Sequence, residues 1–88
     1  MAIRLTKEAL EYYVLTCLSI QEMYGVQILK SVNENVSITS TALYEILASL
    51  EKDGRITRKT TVKNGVSCDL CSITPLGQYH LDVFLKTR

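Results

Sequence analysis

The chain has no tryptophan, one phenylalanine, one proline (Pro75) and one histidine (His80) among 88 residues. A lone histidine leaves no Ser-His-Asp or Cys-His arrangement to draw, and a packed or interfacial imidazole is the simpler reading of His80. Four glycines are too scattered for a phosphate-cradling loop; Gly25, Gly54, Gly65 and Gly77 each fall at a turn or a segment boundary. Nothing supports an enzyme. Cys68 and Cys71 share a C-x-x-C spacing, but a second ligand pair is missing, since only Cys17 and His80 remain. Residues three apart on a strand also face opposite sides. Three free thiols are expected, with no metal and no cofactor. No apolar run approaches the ~18 residues of a membrane span. The opening M-A-I-R-L-T-K-E runs straight into a helix pattern without a secretory signal, so no membrane association and a cytoplasmic location are expected.

What is present suits one small globular domain spanning residues 1–88. Apolar residues make up 47% and charged residues 22%, which separates the chain from disordered sequences. At this length roughly 60–70% of the extended surface can be hidden, enough for one modest core. Net charge is only +1, but its distribution is uneven. Residues 1–54 hold four basic and seven acidic side chains, whereas residues 55–88 hold six basic and two acidic. Between Arg55 and Lys63 lie Arg55, Arg58, Lys59 and Lys63 with no anion. Such a stretch reads either as a phosphate-facing edge or as a solvated hairpin with ordinary surface cations.

The stretch Thr39 to Ile56, T-S-T-A-L-Y-E-I-L-A-S-L-E-K-D-G-R-I, organises the rest. A hydroxyl residue is placed to cap a helix, Leu43, Ile46, Leu47 and Leu50 form one apolar stripe, and Gly54 closes it. The opposite face carries Ser40, Thr41, Tyr44, Glu45, Ala48, Ser49 and Lys52. Upstream, Thr6 caps a first helix striped by Leu10, Tyr13, Val14, Cys17 and Leu18, with Leu15 and Ile20 widening the stripe. Tyr24-Gly25 opens a short second helix reaching about Asn33, and Ile38 plugs the loop before Thr39. Two short helices in tight succession, the second with an exposed polar face, read as a helix-turn-helix.

After Gly54 the period becomes two. Ile56 to Lys63 and Val66 to Ile73 flank Asn64-Gly65, a strong hairpin signal that pairs Lys63 with Val66 and Ile56 with Ile73. The hairpin is apolar at its root and basic at its tip. Thr74-Pro75 then starts a last helix over residues 75–88. Leu76, Tyr79, Val83 and Phe84 line one side of it, with Leu81 and Leu85 nearly opposite. That surface is too wide for one core and predicts a homodimer interface including Leu15, Leu81, Phe84 and Leu85. The fold class expected is mainly α with a two-stranded β-hairpin wing: a winged helix-turn-helix of three helices, two strands and a fourth helix.

Within that class, Y-G-V-Q-I-L-K at 24–30, T-A-L-Y-E-I-L-A-S-L-E-K-D-G at 41–54 and I-T-P-L-G at 73–77 resemble the PadR family of bacterial transcriptional regulators. The resemblance implies a dimeric repressor whose third helix enters the major groove of double-stranded DNA while the wing touches backbone or minor groove. Thr41, Ala42, Tyr44 and Glu45 fall on the family's helix-start positions, with Glu45 where proline is usual. Ala48 and Ser49 stand where basic residues are frequent. The expected DNA-contacting set is Ser40, Thr41, Tyr44, Glu45, Ser49, Lys52, Arg55, Arg58, Lys59 and Lys63, with Tyr44 either touching DNA or packing beneath the helix. Binding of this kind would hold the protein at the nucleoid. With no tryptophan and a last helix that stops at Arg88, short of the family's usual arm, no small-molecule effector is expected. A rival reading is a winged-helix adaptor or anti-repressor that binds protein in place of DNA.

Overall fold

The computed structural model describes residues 6–87. The order is α1 (Lys7–Ile20), β1 (Met23–Tyr24), α2 (Gly25–Asn33), α3 (Ser40–Lys52), β2 (Ile56–Lys63), β3 (Val66–Ile73) and α4 (Pro75–Lys86). Three helices start on a threonine whose hydroxyl accepts from the third residue on: Thr6 from Ala9, Thr39 from Ala42 and Thr74 from Gly77. Each hydroxyl satisfies a backbone donor that the first helical turn leaves open. Gly54 (φ 77°) ends α3 in the left-handed region, and Asn64 and Gly65 (φ 54° and 78°) make the two-residue hairpin turn. The β2–β3 register pairs Ile56 with Ile73 and Lys63 with Val66, as the turn predicts.

The sheet has three strands, not the two expected, in the order β1-β3-β2. β1 pairs Met23 with Cys71 and Tyr24 with Leu70. Two residues carry no readable alternation, so this strand exists only because β3 lies beside it. It anchors the root of the hairpin and leaves the outer half as a free-standing ribbon.

The core joins Val14, Leu15 and Leu18 of α1 and Ile28 and Val32 of α2 to the α3 stripe. Ile56, Cys71 and Leu81 close it. Two expected interface residues therefore belong inside: Leu15 is 0% exposed and Leu81 2%. The rotation of α4 explains Leu81. A Cβ at Gly77 would run into the Arg55 carbonyl, while Thr74 donates to Arg55 O (3.0 Å) and Gly54 O (2.6 Å). Gly77 must face inward, and Leu81, one turn later, follows it. Phe84 is half-buried with its ring stacked on Tyr12 at 3.9 Å, so it too is engaged within the chain. Of the four expected interface residues only Leu85 stays exposed. The exposed apolar side of α4 is instead Leu76, Tyr79 and Val83. No helix among the described residues is long and apolar enough to cross a membrane.

Candidate nucleic-acid interface

Helix α3 turns Leu43, Ile46, Leu47 and Leu50 inward, leaving Ser40, Thr41, Glu45, Ala48 and Lys52 exposed along its outer face. Ser49 does not join them. It is half-buried and donates to Glu11 Oε2 at 3.4 Å, which ties α3 to α1. Tyr44 is half-buried at the edge of this face, packed against the core. A Cβ at Gly25 would lie 2.7 Å from Tyr44 Oη, so the glycine opening α2 makes room for that phenol. The Tyr-Gly of one helix and the tyrosine of the next form one contact.

The hairpin stands beside that edge. Tyr24, Gly25, Val26 and Tyr44 line one wall of an open cleft of about 270 Å³, and Val66 to Asp69 of β3 line the other. Lys59 and Lys63 are exposed on the hairpin, and Lys63 Nζ sits 5.6 Å from the centre of the Tyr24 ring. That distance is within cation–π range.

The two arginines behave differently. Arg55 is 18% exposed and lies 3.3 Å from Asp53 and 3.9 Å from Glu11, with a buried Nε that has no hydrogen-bond partner among the described residues. Arg58 is 23% exposed and donates from Nε (3.1 Å) and Nη2 (2.9 Å) to the same Glu51 oxygen. Its Nη1 lies 3.9 Å from Asp69. The four clustered cations therefore divide into two arginines folded onto carboxylates and two lysines left outward. The same pairs answer Glu51 and Asp53, whose charge would otherwise oppose a phosphate backbone. Lys52, Lys59 and Lys63 make no salt bridge among the described residues.

Glu11 is the inward acid that sequence reading passed over. It is nearly buried, and its spacing to Val14, Leu15 and Leu18 puts it on the buried stripe of α1, so the signal was present. Val62 and Val66, 75% and 62% exposed, also give the hairpin tip an apolar side that the basic reading missed.

Cys68 and Cys71 part as the strand period requires, Cys68 half-buried and Cys71 fully buried. Burial pushes the Cys71 thiol from 9.0 up to about 11, with the nearby Arg58 charge opposing the rise. Burial likewise raises Cys17. Among the described residues no group of His, Cys, Asp and Glu is arranged to hold a metal ion. His80 is half-buried and meets Tyr79 edge-on at 6.0 Å between centroids.

This architecture has solved counterparts. The protein smu.1704 from Streptococcus mutans superposes with a TM-score of 0.89 at 29% identity, over 99% of this chain and 82% of that one. Bacillus subtilis PadR in complex with operator DNA matches at 26% identity and TM-score 0.79, over 86% of this chain and 47% of that one. A PadR family transcription regulator from Clostridium difficile has the same fold at 18% identity (TM-score 0.81), covering 89% of this chain and 84% of the other. No curated protein matches in sequence. The family model described as Transcriptional regulator PadR-like family matches residues 14–83, from the middle of α1 into α4. It takes in the inward stripe of α3, the hairpin and the glycine that rotates α4. The chain belongs to the PadR-like family of transcriptional regulators.

Proposed function

We propose that the protein is a homodimeric, sequence-specific repressor that binds double-stranded DNA. The observation that carries this is the juxtaposition of the outer face of α3 with a hairpin whose free cations point outward. Ser40, Thr41 and Glu45 offer hydroxyls and a carboxylate to base edges, with Glu45 suited to accept from a cytosine amino group. Lys52, Lys59 and Lys63 offer charge to phosphates. Bacillus subtilis PadR, of the same fold, is solved in complex with operator DNA, which supports a DNA-binding reading. Repression follows from a compact domain occupying a promoter site.

The dimer rests on α4. Leu76, Tyr79 and Val83 form an exposed apolar stripe beside Tyr12 and His80, and Tyr79 alone is 64% exposed. A second copy would cover it, and two-fold symmetry would set half-sites about one helical turn, ~34 Å, apart.

Selection from random duplex DNA, followed by gel shift with sedimentation of the complex, tests both parts. A palindromic consensus bound by a dimer is the expected result. No retained duplex in dilute buffer, with a stable polypeptide companion recovered, would transfer the protein to the adaptor reading. The acidic Glu45 on the outer face of α3 is the observation that favours that reading.

A further inference from the structure

We propose that Arg58 is a positioning residue, a strut that fixes the angle of the hairpin against α3, and that it makes no phosphate contact. The proposal deepens the DNA-binding reading and in its DNA measurements rests on it.

Arg58 lies opposite Cys71 in the β2–β3 register, on the same face of the sheet as the buried Ile56 two residues earlier. Its guanidinium therefore points under the sheet. Glu51, from the last turn of α3, accepts two of its N–H groups, and Asp69 of β3 approaches a third nitrogen. Thr60 of β2 donates to the other Asp69 oxygen at 3.0 Å, which closes a chain running from α3 to β2 to β3 and back to β2. Nε and Nη2 are committed to Glu51, so turning the guanidinium outward to a phosphate would break both of these bonds. The location also matters. β1 supports β3 only at Leu70 and Cys71, so Arg58 sits where the anchored root gives way to the outer ribbon. A planar fork can hold a carboxylate in a fixed direction, whereas a lysine supplies only a point charge.

The test uses the full chain and three variants, Arg58→Gln, Arg58→Lys and the charge-neutral pair Glu51→Gln with Arg58→Gln. Thermal unfolding first establishes that each is folded. Amide hydrogen exchange across residues 60–69 should quicken in all three, with lysine no better than glutamine. Affinity for the selected duplex should fall by about fivefold, the upper end for a partly exposed ion pair. Its dependence on salt should match the parent, while Lys59→Ala lowers that slope by about 1.

Unchanged exchange, or a lysine variant that behaves as the parent, overturns the strut. A slope that drops by about 1 in the double variant also overturns it, because Arg58 would then be a phosphate ligand. If the parent binds no duplex at all, the DNA reading fails separately, and the exchange result alone decides the strut.

Discussion

The root of the hairpin and its outer half are built from the same two strands and behave as different materials. At the root, Ile56 and Cys71 are buried, β1 adds a third strand, Gly77 lets α4 press against the Arg55 carbonyl, and both arginines fold onto carboxylates. Beyond Arg58 the side chains are mostly exposed. Two valines and two lysines face solvent there, and Lys63 reaches back to the ring of Tyr24. Position along the ribbon decides what a cation does. Near the core an arginine meets a low-dielectric, acid-lined wall and becomes structural; a few residues further out a lysine stays hydrated and available.

The sharpest way to break this contrast is to truncate one apolar side chain in each half. Ile56→Ala should cost about 3 kcal/mol, a transfer loss plus the cavity left in a packed core. Val62→Ala should cost less than about 0.5 kcal/mol, since its side chain already meets water. Urea unfolding compares the two, and equal losses would show that the outer half is also part of the core.

Thiol chemistry gives the next largest effect. A pKa near 11 holds Cys71 in its protonated form, slowing alkylation at neutral pH about a hundredfold from thiolate supply alone. Burial adds to this, so labelling followed by mass spectrometry should find Cys68 modified first. Because the folded value is raised, stability from this group is full below pH 9 and declines as pH climbs toward 11. Cys71→Ala should flatten that decline relative to the parent.

Charge removal gives the smallest effect and the most informative one. Lys59→Ala and Lys63→Ala should each lower the salt slope of duplex binding by about 1, with affinity falling for all sequences alike. Arg55→Gln should leave the slope as it was and lower thermal stability, since it leaves Glu11 nearly buried without its cation. A slope change at Arg55 would erase the distinction between root and tip.

The family motifs were legible because each encodes a local or near-local need. Tyr24-Gly25 and Tyr44 share a contact, Thr74-Pro75 starts a helix, and Gly54 ends one. The candidate site was half legible. Lys59, Lys63 and the outward residues of α3 stand where periodicity puts them, whereas Ser49, Arg55 and Arg58 each meet a carboxylate within the fold. Of their partners, Glu11 and Glu51 come from helices whose proximity no spacing rule encodes, whereas Asp53 lies two residues from Arg55 and Asp69 across the hairpin.

Sequence alone determined the helices, their threonine caps, the Asn64-Gly65 turn and the register of the hairpin. All of these depend on backbone sterics and hydrogen bonds between residues a few positions apart. Only the tertiary structure decided that Met23–Tyr24 is a strand, that α4 buries Leu81 and exposes Tyr79, and that two of four clustered cations point inward. A strand needs a neighbour, and a helix that is apolar on two sides takes its rotation from the tightest contact, here a glycine against a carbonyl. A charge, in turn, settles on the nearest opposite charge in space, however far away that charge lies along the chain.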